Sequence, residues 1–152
     1  MERTFAIIKP DAVAARHAGR ILRRIEEAGF TIRAMRLTHL TQREAEGFYA
    51  VHRERPFFPS LTKFMSSGPC IVMALEAPDA IKKWRTLMGA TDPAKAAPGT
   101  IRGDFALETA QNLIHASDGA ETATAELALW FAPGELVEYD REIDRWALAP
   151  QE

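Results

Sequence analysis

Gly68-Pro69-Cys70-Ile71-Val72-Met73-Ala74-Leu75 is an apolar run opened by a Gly-Pro break. A run this short with no polar alternation reads as a strand buried on both faces, the position of a central strand. Upstream, Leu61, Phe64 and Met65 suggest a short helix, and Pro56 closes an earlier one. That earlier helix opens on a capping box, Thr41 with Glu44, and turns Ala45, Phe48 and Tyr49 to one side. Before it, the segment from Phe30 to Leu40 is β-rich but alternates imperfectly around Ala34 and Met35, as a bulged or two-sided strand does. Ile21, Leu22, Ile25 and Ala28 recur at helical spacing and stop at Gly29. The first element, Phe5-Ala6-Ile7-Ile8, is another buried strand, ended by the polar turn Lys9-Pro10-Asp11.

Downstream, Pro78 suits the first turn of a helix bearing Ile81, Trp84, Leu87 and Met88. From Gly89 to Gln111 the periodicity vanishes and Pro93, Pro98, Gly99 and Gly103 punctuate the chain, which predicts a long loop. Loops of this length in small domains are usually functional or disordered, and Thr91, Arg102 and Asp104 favour function. Asn112 to Ser117 reads as a last strand, and Asp118 with Glu121 as a capping box for a helix through Leu127, Trp130 and Phe131. After Pro133 no strong pattern is seen, though Trp146 is expected to pack on something. The order β, α, β, α(α), β, α, loop, β, α contains no GxGxxG. It fits an α+β fold with a sheet of about four mainly antiparallel strands and helices on one face.

The chain of 152 residues suits one domain, 1–152, with a tail from about 140 to 152. Apolar residues at 47% and charged residues at 26% are ordinary for a globular protein, and a formal net charge of -2 gives no reason to expect a polyanion such as DNA as the main partner. No segment reaches the roughly 18 apolar residues of a membrane span, and the start lacks a leader pattern, so a cytoplasmic protein is expected. The lone Cys70 sits in an apolar run and reads as a buried structural thiol. His17, His39, His52 and His115 are scattered, without zinc-ligand spacing.

His115 follows Leu113-Ile114 and precedes Ala116-Ser117-Asp118, which puts it at a strand end beside a helix start. A histidine there can act as a nucleophile if one ring nitrogen faces substrate while an acceptor holds the other, and Glu126 can supply that acceptor directly or through Ser117. Taken alone, His115 is more often a half-buried structural histidine. Lys9, Arg85 and Arg102 stand where helices and strands do not require cations; singly each reads as a surface charge, but with Thr91 they supply donors for a phosphate chain. In Arg55-Pro56-Phe57-Phe58-Pro59 two adjacent aromatics cannot both enter one helical stripe. An exposed one, with Leu61 a helical turn on, offers either a face for stacking a base or an ordinary core or subunit contact.

These segments resemble one family. Ile8-Lys9-Pro10-Asp11-Ala12-Val13, Arg55-Pro56-Phe57-Phe58, Ser67-Gly68-Pro69, Met88-Gly89-Ala90-Thr91-Asp92-Pro93, Pro98-Gly99-Thr100-Ile101-Arg102-Gly103-Asp104-Phe105 and Asn112-Leu113-Ile114-His115-Ala116-Ser117-Asp118 are similar, in order and spacing, to the signatures of nucleoside diphosphate kinases. The resemblance runs from about Arg3 to Tyr139. It implies a ferredoxin-like βαββαβ sandwich with a long nucleotide-binding loop. It also implies ping-pong transfer of the γ-phosphoryl group from a nucleoside triphosphate, mainly ATP, to diphosphates through a phosphohistidine.

Residue by residue, the resemblance makes His115 the phosphorylated histidine and Glu126 the carboxylate that orients it, with Ser117 nearby and Tyr49 packed close. Lys9 and Asn112 match ribose ligands, Lys9 also approaching the transferred group. Arg85, Thr91 and Arg102 match phosphate ligands, and His52 stands where it touches the β-phosphate in some members. Phe57 matches the base-stacking ring, with Leu61 beside it. No GxxxxGK[ST] is present, so side chains must hold the phosphates. The implied cofactor is Mg2+ riding on those phosphates, with Asp118 reaching its shell through water and no direct protein ligand. The implied partners are nucleotides and further copies of the chain, as a tetramer or hexamer, with no membrane and no dedicated nucleic-acid site. Departures from the family pattern are Ala116 for Gly, Gly119 for Ser, Gln111 for a basic residue and Thr109 for an apolar one. The alternative from another class is a non-catalytic ferredoxin-like module binding nucleotides or single strands through Phe57 and the cations, which would need neither His115 nor Glu126.

Overall fold

The computed structural model describes residues 1–106 and 112–139. Thr109, Gln111 and the tail 140–152, Trp146 included, lie outside the described residues. Four strands, β1 (Glu2–Ile8), β2 (Thr31–Thr38), β3 (Cys70–Ala77) and β4 (Ile114–Ala116), form one sheet in the order β2-β3-β1-β4. Every neighbouring pair is antiparallel. Helices α1 (Pro10–Ala14) and α2 (Ala18–Glu27) link β1 to β2, α3 (Gln42–Phe48) and α4 (Phe58–Met65) link β2 to β3, and α5 (Ala80–Met88) and α6 (Ile101–Phe105) precede β4; α7 (Ala120–Trp130) follows it. This is the expected ferredoxin-like βαββαβ order, with an added α3–α4 hairpin and α7.

The two apolar runs are central because both of their faces are buried. Ala6, Ile8, Met73 and Leu75 pack with Ile21 and Ile25 of α2 and Trp84 of α5, while Phe5, Ile7, Val72 and Ala74 pack with Ala45, Met65 and Phe131. The expected layer on one face is thus α2 and α5, and the structure adds a second layer of α3, α4 and α7 on the other. Continuous apolarity in β1 and β3 is the consequence. In β2 the register slips between Ile32 and Ala34, the predicted bulge.

Local signals hold in most places. Thr41 and Glu44 form the capping box of α3, and Gly29 (φ +90) ends α2. Two signals do not. The N-cap of α7 is Gly119, with no side-chain cap, so Asp118 and Glu121 form no capping box, and Pro78 lies ahead of α5, whose N-cap is Asp79.

The expected loop after Gly89 is folded as far as residue 106. Asp92 caps a short 3-10 turn at Pro93–Lys95, and Thr100 accepts from the Gly103 amide at 3.1 Å to start α6. The segment is tied to α2 by an Arg24–Asp104 ion pair at 2.6 Å and by Phe105, whose ring stacks with the His17 ring at 5.0 Å and meets the Arg24 guanidinium at 4.7 Å. Gly89 sits at φ +87, and a Cβ there would overlap the Thr100 side chain, so this closure requires glycine.

Candidate active site

β4 lies against the end of β1, with His115 opposite Ile7. Opposed residues of an antiparallel pair share a face, so the His115 ring enters the layer under α3 and α7. There it meets the edges of Phe48 (5.4 Å), Tyr49 (6.1 Å) and Phe5 (6.1 Å). Its Nε2 stands 3.1 Å from Glu126 Oε2, and Ser117 Oγ donates to the same oxygen at 3.0 Å. A carboxylate oxygen only accepts, so in the neutral ring Nε2 carries the proton and Nδ1 keeps its lone pair. Nδ1 makes no hydrogen bond among the described residues. From the other layer, Trp84 Nε1–H donates to the His115 carbonyl at 3.1 Å and pins the backbone.

His115 opens on a cleft of about 720 Å³ whose lining includes Lys9, Tyr49, His52, Phe57, Leu61, Arg85, Thr91, Arg102 and Asn112. All predicted site residues therefore converge here except Ser117 and Glu126, which stand behind the ring. One wall is apolar and belongs to the α3–α4 hairpin. Phe57 is 48% exposed and sits 5.5 Å from the His52 ring, while Phe58 packs inward, so the adjacent aromatics divide as expected. Phe64 and Met88 also line the cleft and were not singled out by sequence, because apolar side chains at helical spacing read as core, and Ser60 lines it too, a lone hydroxyl with no pattern around it.

The opposite wall is cationic. Lys9 is buried and donates from Nζ to Asn112 Oδ1 at 3.0 Å, and Asn112 Nδ2 donates to the Thr91 carbonyl at 3.3 Å. Burial first, and the Arg102 charge second, push the Lys9 ammonium down to about 8, with Asp11 opposing. Arg102 is held by three backbone carbonyls, those of Asn112 (3.2 Å), Gly89 (3.2 Å) and Ile114 (3.0 Å). Three of its five N–H donors fix the fork and the others remain for a ligand. Burial pushes it down to about 10. Arg85, at the rim, pairs loosely with Asp118 at 3.6 Å, both side chains more than half exposed. Such a pair is worth little, so Arg85 is free to turn to a phosphate.

Ala116, which replaces the family glycine, pairs with Ala6 inside β4 and is not at positive φ. The substitution costs no backbone strain. Among the described residues no three His, Cys, Asp or Glu side chains group closely enough to hold a metal ion. No helix among them is long and apolar enough to cross a membrane.

The family model described as nucleoside diphosphate kinase matches residues 2–136. A nucleoside diphosphate kinase from Desulfotalea psychrophila is 58% identical over 137 residues, covering 90% of this chain and 100% of the relative. Among solved structures, a nucleoside diphosphate kinase family protein from Babesia bovis superposes with a TM-score of 0.90 at 43% identity, covering 96% of this chain and 99% of that one. A halophilic nucleoside diphosphate kinase from Halobacterium salinarum in complex with CDP superposes with a TM-score of 0.89 at 41% identity, covering 97% and 99%. A match that spans sheet, hairpin, folded loop and the histidine strand together leaves a single conclusion: the chain belongs to the nucleoside diphosphate kinase family.

Proposed function

We propose that the chain, as one domain over 1–152, moves the γ-phosphoryl group of a nucleoside triphosphate, mainly ATP, to nucleoside diphosphates through a phosphohistidine on Nδ1 of His115. The observation that carries this reading is the His115 ring held at Nε2 by Glu126 at 3.1 Å, with Nδ1 left open beside a cationic cleft. In the first half-reaction the Nδ1 lone pair forms the N–P bond as the bond from the γ-phosphorus to the bridging oxygen breaks. The electron pair leaves with the diphosphate. The ring becomes cationic while its Nε2 proton stays on the Glu126 hydrogen bond, and Ser117 keeps that carboxylate in place. In the second half-reaction a terminal oxygen of an acceptor diphosphate takes the phosphoryl group and restores neutral His115. Both ends are phosphoanhydrides, so concentrations set the direction.

Arg102, Arg85 and the Thr91 hydroxyl hold the phosphates, His52 reaches the β-phosphate, and Lys9 with Asn112 holds the ribose. Tyr49 fixes one edge of the His115 ring. Mg2+ bound to the nucleotide phosphates would neutralise charge there; the cleft's donor set is cationic, and among the described residues lining it only Asp118, on the rim, offers a carboxylate. The base lies on Phe57 beside Leu61. Ser60, which lines the cleft beside Phe57, already donates its hydroxyl to the Phe57 carbonyl at 2.9 Å, which supports acceptance of purine and pyrimidine alike. Phe57→Ala is expected to raise KM on the order of tenfold for every base equally, with kcat little changed, read by steady-state kinetics on several diphosphates.

Charged Lys9 is the form that binds, so kcat/KM is expected to fall as pH rises through about 8. Its folded pKa lies below its ordinary 10.5, so the folded chain releases this proton before the unfolded one and gains stability between about 8 and 10.5. Activity and the Lys9 contribution to stability thus move in opposite directions there, and parallel rate and melting profiles measure both. The same reading makes the protein cytoplasmic and a tetramer or hexamer, supported by exposed Met35 and Leu37 on the edge strand β2. The deciding experiment is incubation with γ-labelled ATP. An acid-labile, alkali-stable phosphoprotein that a nucleoside diphosphate discharges is expected, and a wild-type protein that takes no label sinks the proposal.

A further inference from the structure

The strand that carries His115 is entered through a strained turn. Leu113 has φ +77, and the Ile114 amide donates to the Asn112 carbonyl at 3.0 Å. Leu113 is therefore the centre of a γ-turn of the positive-φ kind, which is rare and strained for any residue with a side chain. Such a conformation persists only where its surroundings over-determine it.

The polar groups of this turn are held from outside it. The Leu113 N–H donates to Asp11 Oδ2 at 3.0 Å, and the Leu113 carbonyl accepts from the Lys9 amide at 2.7 Å. The Asn112 and Ile114 carbonyls on either side accept from Arg102 at 3.2 and 3.0 Å. The Leu113 N–H belongs to the peptide plane whose rotation is φ, and Asp11 is its acceptor. Asp11 does not line the cleft. It faces a separate cavity of about 280 Å³ behind Phe64, so it reaches the reaction through the turn and through its charge beside Lys9, and Asp11→Asn separates the two by removing the charge while keeping the acceptor. A carboxylate half-hidden there has a cost. Burial pushes its pKa up, against the amides of Ala12 and Leu113, which pull it back.

We propose that Asp11 is a positioning residue for phosphoryl transfer: its carboxylate locks the γ-turn at Leu113, and the turn sets His115, Asn112 and the Arg102 fork as one rigid piece. The inference rests on the function proposed above. Alignment of nucleophile and phosphate ligands matters most in the transition state, where a misplacement of about 1 Å costs up to roughly a hundredfold. Loss of the anchor therefore falls on kcat more than on KM.

The test compares Asp11→Ala with Asp11→Asn, which keeps an acceptor oxygen for the Leu113 amide. Asp11→Ala is expected to lower kcat, and the initial rate of His115 labelling by γ-labelled ATP, by between about 10- and 100-fold, with KM within about threefold. Asp11→Asn is expected to stay within about fivefold of the wild type, since it exchanges a charge-assisted bond for a neutral one. A folded Asp11→Ala with wild-type kcat overturns the inference, and so does an equal loss in both variants. Should Asp11→Ala not fold, the Leu113 amide proton decides: its NMR signal is downfield while it donates to a carboxylate and is expected to move upfield in Asp11→Asn, and no movement overturns the anchoring. A wild type that takes no label defeats the proposed function itself, whereas normal labelling of both wild type and Asp11→Ala defeats this inference alone.

Discussion

His115→Ala is expected to take no label from γ-labelled ATP and to lower turnover on the order of 10⁴-fold or more, the largest functional loss of any single substitution in the chain. The size follows from the reaction's division into two halves. Without Nδ1 there is no covalent intermediate, and donor and acceptor would have to meet directly in a cleft of about 720 Å³ that offers one set of phosphate donors. The cations still bind nucleotide, so affinity for ATP should survive, and equilibrium binding separates the lost step from a lost site. The fold should survive as well. The ring is partly exposed, its carbonyl bond from Trp84 is a backbone contact, and Ser117 continues to hold Glu126. Undiminished label on His115→Ala, or label that withstands acid, would place the phosphoryl group on another residue.

What could be read in advance divides along physical lines. β1 and β3 were legible because strands buried on both faces cannot alternate, and α3 because Thr41 and Glu44 satisfy two backbone donors reciprocally. Glu126 was legible as an acceptor for His115 from its place on the helix that follows the histidine strand, but only the family resemblance set it apart, since an exposed glutamate on a helix has the same local signature. The second helical layer was not legible, because the sequence does not say which side of a doubly apolar strand each helix covers. α6 was missed because its 5 residues include Gly103 and depend on Thr100 and on packing against α2. The γ-turn was invisible for a sharper reason. Leucine carries no preference for positive φ, so the position that stands out in the sequence is Ala116, which replaces a glycine in an ordinary strand, and not Leu113 three residues before it. Tertiary hydrogen bonds impose that conformation: the Leu113 amide donates to Asp11, and the Lys9 amide and Arg102 donate to the turn's carbonyls.

Arg102→Ala is expected to lower kcat/KM by about 10²- to 10³-fold, and Arg102→Lys to recover less than about tenfold of that loss. Charge alone would predict that lysine suffices, because both side chains are cationic at neutral pH. Geometry predicts otherwise. The guanidinium spans the carbonyls of Asn112, Gly89 and Ile114, so it ties the folded loop to the strand of the nucleophile while the rest of its fork faces the cleft. An ammonium is a point donor and cannot reach all three carbonyls while also meeting a phosphate. Either substitution leaves buried carbonyls short of a partner, at about 1–3 kcal/mol for each one stranded, so a lowered melting temperature should accompany the kinetic loss. Arg85→Lys is the internal control, because among the described residues Arg85 meets exposed Asp118 alone, at its carboxylate (3.6 Å) and distantly at its carbonyl (3.5 Å), and holds no buried backbone group. It should retain far more activity than Arg102→Lys, and equal tolerance of lysine at both positions would show that Arg102 acts by charge and not as the fork that joins loop to strand.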